Sequence, residues 1–268
     1  MKWHRLTTDG RFKRDLAWSP QGDLLYFGLQ QTPELLAIHQ FDLATGQISR
    51  WHPQQNTSEF EPAFSAAGRF AAWVQSRANL QLKLVIAPPN GSETAVFDPG
   101  GGFAGLRHPT WHPAGTQVCF SLPTAGGQQL ITVDPQAKNR RDLTATAGIN
   151  THPAYSPTGD RLAFSSTRDG DYEIYVLQAD GTNSRRLTHS PGMDLRPTWS
   201  GDGGRIAFVT NREGNYDLWL MGSDGSDPRP LTTHPERDDF PAWHPTENRL
   251  ACISVREGRH DIWLLELD

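Results

Sequence analysis

The sequence predicts an all-β fold: a closed β-propeller of six blades, each a four-stranded antiparallel sheet, in a single domain covering residues 1–268. Three observations carry this. An aromatic, then Ser or His, then a small or turn residue recurs as Trp18-Ser19-Pro20, Phe64-Ser65-Ala66, Trp111-His112-Pro113, Tyr155-Ser156-Pro157, Trp199-Ser200-Gly201 and Trp243-His244-Pro245. The aromatics are spaced by 46, 47, 44, 44 and 44 residues, a period typical of propeller repeats. Apolar residues alternate within each unit, and helical i, i+3, i+4 spacing is absent.

The fourth copy shows the elements most clearly. His152–Tyr155 is its first strand, and a Ser-Pro-Thr-Gly turn leads to Arg161–Ser165. An Arg-Asp-Gly turn leads to Tyr172–Leu177, Asp180-Gly181 signals a hairpin, and Arg185–Thr188 is the last strand. Blade units then begin near residues 13, 59, 106, 150, 194 and 238. Each blade has two apolar faces, so the recurring aromatic is expected to fill the gap between neighbours. Gly22, Gly68, Gly115, Gly159 and Gly203 stand four residues after it, where a tight turn calls for positive φ. The sixth copy has Glu247 there, so its turn must differ or carry strain. That copy also stops after its third strand, while His4-Arg5-Leu6-Thr7 repeats the words of Arg186-Leu187-Thr188. Leu6 precedes Trp18 by 12 residues, as Leu187 precedes Trp199. Trp3–Thr7 is therefore expected to complete the last blade beside Ile262–Leu267, closing the ring and removing a bare sheet edge.

Gly and Pro make up about 17% of the chain against an average of roughly 12%, which fits many short strands joined by turns. Net charge is −5 and no Lys/Arg block occurs, which argues against a nucleic-acid partner. No apolar run is long enough to span a bilayer, so no membrane insertion is expected. The opening residues lack the apolar core of a secretory signal. The sequence as it stands reads as cytoplasmic, or periplasmic if a signal was removed, and a monomer is the expected state. Cys119 and Cys252 fall on opposite blades, too far apart for a disulfide.

The texts "HPAYSPTGDRLAFSSTRDGDYEIYVLQADGTNSRRLT" and "RPTWSGDGGRIAFVTNREGNYDLWLMGSDGSDPRPLT" resemble the WD-like repeats of the TolB propeller family, a component of the bacterial Tol–Pal envelope system. The sixth copy is similar to them, and the first three keep the aromatic and the turn Gly. The resemblance implies a protein-binding module with its partner at the channel mouth. It also points to relatives that are lids of prolyl-oligopeptidase-type enzymes, or oligogalacturonate lyases holding a metal in the channel with histidines. TolB carries a leader and a further N-terminal domain, which this sequence does not display.

Catalytic motifs are scarce: G-x-S-x-G, H-E-x-x-H and C-x-x-C are all absent. Residues Gly100–Gly105 fit G-x-G-x-x-G, but no helix follows to aim a dipole at a phosphate, so the segment reads as a loop. Asn56 and Asn90 sit in glycosylation-type triplets of no expected consequence. The candidate site is the set of triplets before each first strand: Lys13-Arg14-Asp15, Glu59-Phe60-Glu61, Leu106-Arg107-His108, Asn150-Thr151-His152, Asp194-Leu195-Arg196 and Asp238-Asp239-Phe240. They are charged and unlike one another, whereas the blade bodies repeat. From them Arg14, Asp15, Glu59, Phe60, Arg107, His108, His152, Asp194, Arg196, Asp238, Asp239 and Phe240 are taken as a binding surface at the channel mouth. The bland alternative is mutual pairing of opposite charges around the rim.

His108 and His152 share a register in adjacent blades and, with Asp194, form the one candidate transition-metal set; the bland reading makes both imidazoles ordinary polar residues, and no cofactor is expected. Arg168, Arg212 and Arg256, with Glu173, Asp217 and Asp261 five residues on, recur as scaffold and suggest hairpin salt bridges. His112 and His244 read as structural turn residues on the opposite mouth. The functional expectation is a non-enzymatic scaffold with a protein or peptide partner. The alternative is a metal-dependent carbohydrate lyase or lactonase.

Overall fold

A computed structural model describes residues 1–77, 81–88, 94–100 and 105–267, the side chain of residue 77 excepted. Every regular element among the described residues is β. The innermost strands are Lys13–Trp18, Glu59–Phe64, Arg107–Trp111, Gly148–Tyr155, Asp194–Trp199 and Asp238–Trp243. Each contacts the next around the channel, and the last contacts the first, so the ring is complete.

The expectation of six separate four-stranded blades is corrected by the ladder pattern. Four blades stand alone as four-stranded sheets, while the third and fourth repeats share a single eight-stranded sheet. The join is a short parallel pairing of Gly127 with Gly148 and Gln128 with Ile149. It exists because both backbones are bare at the crossing. A Cβ on Gly127 would lie 2.0 Å from the Gly148 carbonyl oxygen, and both glycines have positive φ. The fourth inner strand accordingly begins at Gly148, before the first residue the sequence pattern assigns to it.

The N-terminal strand is Lys2–Arg5, antiparallel to Arg259–Glu266, with Trp3 opposite Leu265 and Arg5 opposite Trp263. Leu6 extends it by donating its N–H to the Ile262 carbonyl at 2.8 Å. Thr7 Oγ1 then accepts the Ile262 N–H at 2.9 Å and donates to Asp261 Oδ1 at 3.0 Å. The same Leu-Thr device closes other sheets: Thr144, Thr188 and Thr232 accept the N–H groups of Leu130, Ile174 and Leu218 at 2.9 Å. The likeness between the chain's opening and its repeat ends is this clamp.

The recurring aromatics lie between neighbouring repeats. Trp18 packs among Ala242, Ala251, Ile253 and Ile262 of the last repeat and donates Nε1–H to the Ala242 carbonyl at 3.0 Å. Glu247 is not in the left-handed region; its turn is held instead by His244 Nδ1, which accepts the N–H groups of Thr246 and Glu247 at 3.3 and 3.0 Å. Cys119 and Cys252 are free and buried.

Candidate functional site

The triplets are not loops. Each inner strand carries its triplet within or just before it, together with a bulge at the same place, for example between Arg14 and Ala17 and between Leu195 and Thr198. Two residues there oppose one on the partner strand, which bends the strand and re-aims a side chain. The first bulged residue is left-handed in every copy: Asp15, Glu61, His108, His152, Arg196 and Phe240 have φ between 50° and 58°. Such a conformation costs a non-glycine residue about 1–2 kcal/mol. Pro follows in five copies, and Leu16 in the first. Proline suits the bulge because a ladder donor is not needed there.

The bulge sorts the triplets into three destinations. The third residues line one channel cavity of ≈ 140 Å³, with the prolines and Leu16 beneath them. Of the second residues, Arg14, Arg107, Thr151 and Asp239 contact the residues that line it. First residues are buried, and Glu59, Asp194 and Asp238 are not among the residues that line this cavity. Asp194 accepts from Arg212 at 3.0 and 3.1 Å, and Asp238 lies 3.5 Å from Arg256. Asn150 accepts from Arg168 at 3.0 Å. The recurring arginines therefore hold the first triplet residue and do not form the hairpin bridges the spacing suggests. Glu173, Asp217 and Asp261 instead engage the clamp threonines Thr188, Thr232 and Thr7.

Around the channel the side chains form a linked chain of contacts. Arg14 Nε donates to Asp15 Oδ2 at 2.6 Å, and Arg14 Nη2 is 3.7 Å from Glu61. Glu61, part of its triplet but not among the residues singled out from the triplets, is the hub. It accepts Arg107 Nε and the His108 backbone N–H, both at 2.6 Å. Both guanidiniums lie over the Phe60 ring. The His108 and His152 ring centroids are 4.0 Å apart, and His108 Nδ1 is 2.9 Å from Thr151 Oγ1. Arg196 covers the Phe240 ring at 4.4 Å and reaches Asp239 Oδ1 at 3.3 Å. Asp239 also accepts Arg237 Nε at 2.8 Å.

Burial pushes the Asp15 carboxyl up to about 6, assisted by the charge of Glu61. Burial, then the neighbouring guanidiniums, hold His108 well below the usual imidazole range. His152 is lowered likewise, by burial and then by His108. His108 and His152 thus come together as expected, but Asp194 is elsewhere and paired with Arg212. The proposed metal triad is not assembled. Among the described residues no three His, Cys, Asp or Glu side chains are placed to hold a metal ion. Of the formal nucleotide-loop match, residues 101–104 lie outside the described residues, as does Asn90.

Asp238 gives a pH test of this sorting. Burial pushes its carboxyl up to about 6, with the Ser254 and Thr232 hydroxyls pulling the other way. A folded pKa above the unfolded value means that protonation favours the fold, so this group adds stability as pH falls from above 6 toward 4. Asp238→Asn cannot titrate. Between pH 7.5 and 4.5 the stability of wild type relative to the variant is expected to rise by on the order of 2 kcal/mol. Chemical denaturation at the two pH values measures this, and a constant difference would place Asp238 in solvent.

Residues 136–268 match the family described as TolB beta propeller domain. No curated protein matches the chain. Among solved structures, one assigned as TolB from Agrobacterium tumefaciens is similar at a TM-score of 0.70 and 21% identity, over 80% of this chain and 76% of that one. TolB from Acinetobacter baumannii has the same TM-score and identity, over 92% of this chain and 64% of that one. An oligogalacturonate lyase in complex with manganese has a TM-score of 0.69 and 16% identity, over 97% and 79%. Likenesses at these identities establish the fold.

Proposed function

We propose that this TolB-like propeller, whose residues 136–268 match the TolB beta propeller domain family, is a binding module. Its channel mouth takes an extended, carboxylate-bearing segment of a protein or peptide partner. One observation carries this reading: the scaffold of bulge and left-handed residue is repeated in every copy, while the side chain it presents is not. Strain kept at equivalent positions points to a use for them. The exposure of the charges sets the ligand's sign. Arg14, Arg107 and Arg196 side chains are 25%, 27% and 21% exposed, against 6%, 4% and 2% for Asp15, Glu61 and Asp239. The carboxylates lie beneath and hold the guanidiniums in place, so the accessible atoms are N–H donors suited to forked recognition of a carboxylate. Phe60 and Phe240 support an apolar neighbour on the ligand.

A lyase-like reading draws on the manganese-bound structural neighbour. His108 and His152 fit it, but the third predicted ligand does not, and no catalytic step is derived. The test of the binding proposal is a titration with hexaglutamate, hexalysine and hexaglutamine peptides. Hexaglutamate is expected to bind in a salt-sensitive manner, and Arg107→Gln with Arg196→Gln to weaken it about tenfold or more. Equal binding of all three peptides, or an unaffected double variant, would overturn the proposal.

A further inference from the structure

Glu59, not among the residues that line the channel cavity, leads to a second cavity. It lies between the first and second repeats, measures ≈ 400 Å³, and is lined chiefly by Trp51, His52, Gln55, Glu59 and Trp73. That volume is within the range of small-molecule sites. Its origin is a break in the repeat. The N–H groups of Leu143, Leu187 and Leu231 donate to the carbonyls of Leu130, Ile174 and Leu218, and each leucine is followed by the clamp threonine. In the first repeat the corresponding bond runs from Trp51 to Ile38, and His52 follows where threonine stands elsewhere.

This Trp-His pair reaches across to the next repeat. His52 Nδ1 is 2.7 Å from Glu59 Oε2, and Trp73 Nε1 donates to Glu59 Oε1 at 2.9 Å. Gln75 Nε2 donates to the same oxygen at 3.2 Å. Where Asp194 and Asp238 have arginine partners, Glu59 is fixed by an indole, an amide and an imidazole. Arg50, beside Trp51 in sequence, turns to Gln31 at 3.3 Å and to the Gln55 carbonyl. The Trp51 ring stacks on His52 at 4.1 Å and meets Trp73 edge-on at 5.2 Å. Trp73 is buried, whereas Trp51 and His52 are half-buried at the cavity wall.

We infer that this cavity is a binding site for an organic ammonium group, such as a lysine side chain or a free alkylamine. Three features agree on a cation. Two indoles, Trp51 and Trp73, line the cavity, and indole rings attract a cation through their quadrupole. The Glu59 carboxylate supplies a fixed negative charge behind them. His52 Nδ1 faces that carboxylate at 2.7 Å, and a neutral ring donating there presents Nε2 as an acceptor for an ammonium N–H.

The experiment is a ligand-detected NMR titration at neutral pH with n-pentylammonium chloride, n-pentanol, and capped Gly-Lys-Gly and Gly-norleucine-Gly peptides. The ammonium probes are expected to bind saturably and the matched neutral probes about tenfold more weakly. Saturation by pentylammonium alone identifies a free amine as the source, and saturation by the lysine peptide a protein partner. Glu59→Gln and Trp51→Ala are each expected to lose about tenfold in affinity. Trp51 is only half-buried, so its variant keeps the test valid if Glu59→Gln fails to fold. Equal affinity for pentanol, no saturation by either ammonium probe, or full affinity in the Trp51 variant overturns the inference.

Discussion

Deletion of residues 2–7 is expected to destabilise the whole ring by at least about 3 kcal/mol and to make the protein self-associate. The deletion removes the strand paired with Arg259–Glu266 and leaves that strand's N–H and C=O groups without their ladder. It also strips Asp261, 2% exposed, of Arg5 at 2.6 Å and Thr7 at 3.0 Å. A buried carboxylate deprived of partners is costly. Burial alone would push the Asp261 carboxyl up, yet Arg5, the Gly10 N–H, Thr7 and Lys13 outweigh it and hold the carboxyl below its ordinary value. A depressed folded pKa means that this stabilisation is present above the unfolded pKa and is lost as pH falls through the folded one. Thermal melts and light scattering of the truncated chain provide the check. An unchanged melting temperature with a monomeric truncated protein would show that the ring does not depend on joining its ends.

Trp199→Ala is expected to cost about 3–5 kcal/mol, the range for truncating a large buried aromatic. Trp199 is 6% exposed and sits in one cluster with Ala163, Ile174, Val176 and Leu187 of the preceding repeat. Its Nε1–H donates to the Ala154 carbonyl at 2.9 Å, and the Arg161 guanidinium lies 4.8 Å above its ring. The substitution therefore opens a void at a joint and leaves a carbonyl without its donor. Trp199→Phe retains most of the apolar area and is expected to lose about 1–2 kcal/mol. Urea denaturation of both variants distinguishes the terms. A loss below about 1 kcal/mol for the alanine variant would mean that the indole is at the surface.

The period, the inter-repeat aromatics and the turn glycines were legible because packing demands the same residue wherever the same contact recurs. The triplets were legible as a set because they break that repetition. Their destinations were not, since strand alternation alone assigns faces, and the bulge after the second triplet residue alters the alternation. The signal for it was the proline that follows Glu61, His108, His152, Arg196 and Phe240. Glu61 was not singled out from its triplet for the same reason: without the bulge, nothing separates it from Glu59. The burial of Asp194 and Asp238 was also encoded, in Arg212 and Arg256 standing 18 residues after each. The glycine contact that fuses two repeats had no periodic signature, because it occurs once.

That contact has a mechanical consequence. Elsewhere among the described residues, neighbouring repeats meet through side chains and isolated backbone bonds, such as Asp194 N–H to the Tyr172 carbonyl at 2.7 Å and Asp238 N–H to the Tyr216 carbonyl at 2.8 Å. Between the third and fourth repeats the backbones themselves are tied through Gly127 and Gly148. A ladder pairing is harder to part than an isolated bond, so this joint is expected to open less readily than its neighbours. His108 and His152 stand one on each side of that joint, so the tie restrains the spacing of these two rings in the channel lining.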